Sequence, residues 1–161
     1  MSLSGIVLVT GGAGFIGSNI ASALVAHGAR VRIIDDLSTG YLENVEEIGG
    51  DVDFVHASLN DADGTRRALE GVELIFHEAA LPSVPRSLQN PRETHQACVE
   101  ATFSLLLAAR ECGVRRLVYA ASSSAYGNQP TLPKVEAMRP EPLSPYATAK
   151  LVGEYYCQVF T

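Results

Sequence analysis

The chain alternates short, unbroken apolar runs with longer stretches in which apolar residues recur every three or four positions. Five runs stand out: "GIVLVT" (5–10), "ARVRIID" (29–35), "VDFVHA" (52–57), "ELIFHEA" (73–79) and "RRLVYAAS" (115–122). Each is rich in Val, Ile, Leu and aromatic residues and is bounded by Gly, Asp or Ser. Strands covered on both faces read in this way, as apolar runs rather than strict alternation. Between them, the periodicity predicts helices near 15–28, 61–70, 91–112 and 146–160. The segment 91–112 has a start signal in "NP", with Asn90 as cap and Pro91 in the first turn, and a stop at Gly113. "GNQPTLPKVEAMRPEPLSP" (127–145) holds five of the eight prolines and predicts a loop. A repeated strand–helix order with short links implies an α/β domain: a doubly wound parallel sheet with helices on both faces. No internal repeat or low-complexity run is visible.

Composition narrows the class. The 161 residues, 47% hydrophobic and 19% charged, make one globular domain's worth of chain with a proper core. A formal net charge of −6 argues against nucleic acid or an anionic membrane as partner, because both require a basic face. The three cysteines, Cys98, Cys112 and Cys157, are scattered and lack CxxC spacing, which fits buried thiols in a reducing cytoplasm. The apolar stretch from Met1 to Gly28 lacks a basic leading region and is interrupted by glycines, so it is not a signal peptide. No apolar run is long enough for a membrane span.

"VTGGAGFIGS" (9–18) joins the first strand to the first helix. It satisfies GxGxxG through Gly12, Gly14 and Gly17, and GxxGxxG through Gly11, Gly14 and Gly17. Glycines there permit a tight turn, close approach of backbone to a pyrophosphate and close helix–strand packing. The helix N-terminus adds free N–H groups and a partial positive charge. An acid, Asp35, ends the second strand 18 residues after Gly17, completing the dinucleotide-binding fingerprint of a Rossmann sheet. A carboxylate at Asp35 suits both ribose hydroxyls and repels a 2′-phosphate. "DDLSTG" (35–40) contains no Arg to rescue one, so NAD is favoured over NADP.

Tyr146 and Lys150 stand four residues apart and share one face of the last helix. A free phenol is a poor base at neutral pH, and a neighbouring ammonium and a cationic nicotinamide are both expected to pull its pKa down. The run Ser122, Ser123, Ser124 closes the fifth apolar run, where ligands of a doubly wound sheet collect, although capping hydroxyls would look the same. His77 and Glu78 fall at the end of the fourth run, where backbone contact with the cofactor is expected. No second ligand lies at a usable spacing from His77, so no metal site is expected.

With "TGGAGFIGS", "IIDDLSTG", "FHEAALPSVPRS", "YAASSSAYG", "LPKVE" and "SPYATAK" in place, the chain resembles an extended short-chain dehydrogenase/reductase of the NAD-dependent epimerase/dehydratase family. Within it the likeness is to the UDP-hexose 4-epimerases, particularly those accepting UDP-N-acetylhexosamines. The resemblance implies catalysis by Ser122, Tyr146 and Lys150. Tyr146, helped by Ser122, would take the proton from the sugar 4-hydroxyl, Lys150 would hold the nicotinamide ribose, and Ser123 and Ser83 would approach the sugar. It implies cofactor contacts at Gly11, Gly14, Phe15, Ile16 and Gly17, and then at Asp35, Asp36, Leu37, Ser38, Thr39 and Gly40. Further contacts are implied at Ser58, Leu59, Ala79, Ala80 and Leu81, and at Cys98, Ala120, Tyr146 and Lys150. Ser123 and Ser124 stand where the related 4,6-dehydratases carry an Asp-Glu pair, which disfavours dehydration.

The chain departs from the family pattern at three cofactor positions: Ser58 replaces an Asp, Cys98 an Asn and Ala101 a Gly. Members are about twice this length, and their second half grips the nucleotide diphosphate. Residues 1–161 are therefore expected to form the NAD-binding domain alone, carrying the Ser and Tyr-Lys motifs, with weak turnover. The alternatives are an NAD-binding module without turnover, or an NAD-dependent sugar oxidoreductase. The resemblance also implies a homodimer through the helices at 91–112 and 146–160.

Overall fold

The computed structural model describes residues 5–160, so Met1–Ser4 and Thr161, the ends of the expected domain, lie outside the described residues. Strands β1 (Ile6–Thr10), β2 (Arg30–Asp35), β3 (Val52–His56), β4 (Val72–His77) and β5 (Arg116–Tyr119) form one parallel sheet in the order β3-β2-β1-β4-β5. The chain starts at the centre, builds to one edge, then returns and builds to the other. In such a sheet the loops part between the two central strands and leave a crevice at the carboxyl ends. Thr10 pairs with both Ile34 and His77, so the loops after β1, β2 and β4 leave the sheet at one level.

The unbroken apolar run of β1 follows from its central place. Val7, Leu8 and Val9 are wholly buried. Leu8 packs with Ile34, Ile75 and Leu105 on one face of the sheet, and Val9 with Val31, Ile33 and Ala21 on the other. Burying each such side chain contributes about 1.5–3 kcal/mol, so neither face tolerates a polar alternation here.

Helices α1 (Phe15–Ala26), α3 (Ala62–Leu69) and α7 (Pro145–Val159) lie where the periodicity places them. Ser144 caps α7, its Oγ accepting the Ala147 N–H at 3.1 Å. Two short helices, α2 (Leu42–Glu46) and α4 (Val84–Gln89), have no counterpart in the sequence reading, being too brief to show a period. Strand β5 stops at Tyr119 rather than 122, because Ser122 opens a 3₁₀ turn (Ser123–Tyr126) by accepting the Ser124 N–H at 3.3 Å. Strand β4 likewise ends at His77 rather than 79. The proline-rich 127–145 segment holds no helix or strand beyond the first residue of α7, as expected.

The segment 91–112 is not one regular helix. It runs as α5 (Pro91–His95), a π turn (Gln96–Glu100) and α6 (Ala101–Glu111). Side chains add to the backbone bonds of this wider turn: Thr102 Oγ1 donates to Cys98 O at 2.8 Å, and Gln96 O, which accepts the Ala101 N–H, also accepts from Asn60 Nδ2 at 3.2 Å. Asn90 precedes α5, but its side chain makes no capping bond. Its carbonyl instead accepts both the N–H and the hydroxyl of Thr94, at 3.3 Å each.

Candidate functional site: a crevice with a tyrosine–lysine corner

A cavity of about 620 Å³ opens at the carboxyl ends of β1 to β4. Its floor is the loop from Gly11 to Gly17. Gly11 has φ +68°, and a Cβ there would lie 2.7 Å from Ala79 N; a Cβ on Gly17 would lie 2.3 Å from Gly11 O. Neither position admits any other residue without moving backbone. Gly14 stands at the N-cap of α1, and no side chain caps it, so first-turn N–H groups are open where Gly14 to Gly17 line the cavity.

Asp35 supplies the negative wall. Its Oδ2 accepts the Ala13 N–H at 3.0 Å and its Oδ1 the Leu37 N–H at 2.8 Å. These bonds fix the carboxylate and leave each oxygen a further lone pair. Leu37 is thereby held at φ +58°, a left-handed conformation costly for leucine, with its side chain packed beside the core that contains Ile33 and Val45. A backbone cradle without side chains, a fixed carboxylate at the end of β2 and an apolar wall at Leu59 and Ala79–Leu81 together fit NAD.

Beside the cavity lies a tyrosine–lysine corner. Lys150 is only 3% exposed; its Nζ donates to Ala120 O at 2.9 Å and lies 4.8 Å from the Tyr119 ring centre. The Tyr119 hydroxyl donates to Lys150 O at 3.3 Å, locking α7 against the end of β5. Ser122 Oγ lies 2.7 Å from Ser124 Oγ. Burial raises the Tyr146 pKa above that of an ordinary phenol, and the Ser122 side chain opposes that rise. Burial lowers the Lys150 pKa, opposed by the charges of Cys98 and Glu78. Where a lowered phenol pKa was expected, the net shift of Tyr146 is upward because burial outweighs the opposing effect of Ser122; the Lys150 ammonium is turned to Ala120 O and the Tyr119 face.

Of the residues expected to meet the cofactor, all line the cavity except Leu37, Cys98, Ala120, Tyr146 and Lys150. Cys98 is 1% exposed and packs with Val99 and Ala149, so its thiol does not reach the crevice. Ala120 serves the site through its carbonyl. Neither Ser83 nor Ser123 lines the cavity: Ser83 caps α4, its Oγ accepting the Arg86 N–H at 3.1 Å, and Ser123 is exposed in the 3₁₀ turn. Glu78 is more than a backbone contact. It lines the cavity, burial raises its pKa, and the Lys150 charge opposes that rise. Sequence reasoning missed Asn60, Arg86, Glu93 and Gln96 on the wall, the last three brought there by α4, α5 and the π turn. The His77 ring does not face the cofactor space; it is wholly buried between Thr10 and Thr102.

Among the described residues, no group of three or more His, Cys, Asp or Glu could hold a metal ion, and no helix is long and apolar enough to cross a membrane.

Comparison with known proteins agrees with this architecture. A UDP-glucose 4-epimerase of Mycolicibacterium smegmatis is 43% identical over 157 residues, covering 95% of this chain and 50% of that protein. The Thermus thermophilus UDP-glucose 4-epimerase in complex with NAD superposes with a TM-score of 0.90 at 39% identity, covering 96% of this chain and 50% of that one. A UDP-N-acetylglucosamine 4-epimerase from Methanobrevibacter ruminantium, in complex with UDP-N-acetylmuramic acid, also gives 0.90, at 36% identity over 97% of this chain and 50% of that one. The chain thus spans about half the length of these relatives. The sequence pattern of the NAD dependent epimerase/dehydratase family matches residues 7–161, and the chain belongs to that family.

Proposed function

We propose that these residues form the NAD-binding part of a UDP-sugar 4-epimerase and carry its acid–base groups. The observation that carries the reading is the pairing of a dinucleotide-fitting crevice with Ser122, Tyr146 and Lys150 at the same end of the sheet. Glycine backbone from Gly11 to Gly17 holds the pyrophosphate and Asp35 the adenosine ribose. NAD held by these residues would supply a reversible hydride acceptor, recycled rather than consumed. Tyr146 takes the proton of the sugar 4-hydroxyl and later gives it back. Ser122 steadies the phenol, and Lys150 contributes the positive charge of the corner. Because Ser123 and Ser124 offer no carboxylate, the chemistry stops at inversion rather than elimination.

The test is the reduced-nicotinamide absorbance of the NAD-loaded chain on adding UDP-glucose or UDP-N-acetylglucosamine. A transient rise, abolished by Tyr146→Phe, supports the reading; no change with any UDP-hexose contradicts it.

A second reading, NAD binding without turnover, draws on the position of Ser122, Tyr146 and Lys150 outside the cavity wall and on the half-length match. Little here would hold a sugar nucleotide, and remote binding energy normally positions the reacting carbon. That reading expects NAD to raise the melting temperature with no absorbance change.

A homodimer through α6 and α7 belongs to the same proposal. Phe103 packs on Tyr156 and Phe160 within the chain, at ring-centre distances of 5.0 and 6.0 Å, while Tyr155 and Val159 stay exposed. Light scattering of the purified chain at twice the monomer mass is the expected result.

A further inference from the structure

Residue 77 is a histidine wholly sealed inside the sheet, a costly group to bury unless each ring nitrogen is satisfied. Its Nδ1 lies 2.7 Å from Thr10 Oγ1 and its Nε2 lies 2.9 Å from Thr102 Oγ1. The direction of these bonds follows from the other bonds of the two threonines. Thr102 spends its only proton on Cys98 O at 2.8 Å, so it must accept from His77, and Nε2 carries the hydrogen. Nδ1 is therefore the acceptor, and the Thr10 hydroxyl donates to it. That leaves a Thr10 lone pair for the Ala79 N–H, found at 3.2 Å.

The circuit continues on both sides of the ring. The Glu78 N–H donates to Thr10 O at 3.2 Å, and the Leu81 backbone opposes the rise that burial gives the Cys98 pKa. The start of the cavity wall, Glu78 and Ala79, is thus pinned at two points on Thr10 of β1. Among the described residues, His77 carries that support through Thr102 to the Cys98 carbonyl of the π turn. The wall in turn abuts the pyrophosphate loop, where a Gly11 Cβ would strike Ala79 N at 2.7 Å.

We propose that His77 is a positioning residue for the cofactor crevice: as the Nε2–H tautomer it ties β1 to the π turn and sets the wall at Glu78 and Ala79 against the Gly11 loop. The proposal rests on the NAD-binding reading above. Its reach is affinity, since His77 touches neither cofactor nor substrate. Breaking the link on the π-turn side frees the wall while the glycine loop and Asp35 remain in place.

Two measurements test it. Nitrogen NMR of the wild-type ring needs no variant. The expected result is an unprotonated Nδ1 and a protonated Nε2 that do not titrate from about pH 8 to about pH 5. A protonated Nδ1, or titration near the ordinary histidine value, overturns the proposal. The second measurement is calorimetric titration of NAD into the full chain and into Thr102→Val and Thr102→Ser, well below their melting temperatures. Thr102→Val, with the same shape and no hydroxyl, should weaken NAD binding about tenfold, because it strands one buried ring N–H. Thr102→Ser should restore the affinity to within about twofold. A Thr102→Val chain that melts earlier but binds NAD as tightly as wild type makes the circuit merely structural and overturns the proposal alone. A wild-type chain that binds no NAD overturns both this proposal and the functional reading. If Thr102→Val does not fold, Thr10→Val and Thr10→Ser repeat the comparison from the β1 side, with the same expected order.

Discussion

In the loop after β1, position is set by backbone packed too closely for a side chain at Gly11 and Gly17, whereas at the head of α7 it is set by side chains whose charges depend on their surroundings. A Cβ on Gly17 would sit 2.3 Å from Gly11 O, and Asp35 is clamped by two backbone N–H groups at 3.0 and 2.8 Å. Nothing in that cradle apart from the Asp35 carboxylate carries a formal charge. At the corner, by contrast, burial pushes Tyr146 toward the neutral phenol and Lys150 toward the neutral amine. Both shifts oppose the phenolate–ammonium pair that proton transfer needs. The cradle is ready-made in this chain; the corner is assembled but not poised. Under the proposed function, a cationic nicotinamide bound beside the corner would favour the phenolate.

The comparison can be broken most sharply at Gly17. Gly17→Ala should abolish NAD binding and lower the melting temperature, since only backbone can yield there; calorimetry on the variant checks it. A Gly17→Ala chain with wild-type affinity would refute the rigid-cradle half of the contrast.

The next effect is on stability. Burial, aided by Lys150, pushes the His77 pKa from 6.5 to about 3. The unfolded chain then binds a proton that the folded chain refuses. The His77 contribution is therefore fully present above pH 6.5 and lost as pH falls toward 3. The slope should approach about 1.4 kcal/mol per pH unit in that window. Urea midpoints against pH should show it in wild type, and His77→Gln should flatten it.

Asp35→Asn comes third. Removing the charge but not the shape should weaken NAD binding about tenfold and narrow its margin over NADP, as read by parallel titrations. The smallest expected change is at the corner. Ser122→Ala removes the side chain that opposes the rise of the Tyr146 pKa, so phenolate formation should move to higher pH. Ultraviolet titration, with Tyr146→Phe identifying the signal, checks the direction.

The contrast also explains how much was legible in the sequence. The sheet could be read from its apolar runs because β1 is sealed on both faces, and the cradle because glycine spacing and Asp35 act through local backbone. Tyr146 and Lys150 were visible as a spacing, but the direction of their pKa shifts was not, because it is set first by burial, which depends on elements distant in the sequence. The π turn at Gln96–Glu100 was also hidden, because the side-chain bonds that reinforce its carbonyls include one from Asn60, 36 positions away. His77 looked like a cofactor neighbour. Its partners Thr10 and Thr102 lie 67 and 25 positions away, and no local pattern announces them.

The most direct test of the central claim, that the cofactor cradle is complete within these residues, is calorimetric titration of NAD into the nucleotide-free chain. The expected result is saturable uptake of one NAD per chain, with NADP bound far more weakly. A chain that unfolds cooperatively, and so is folded, yet takes up no NAD would contradict it.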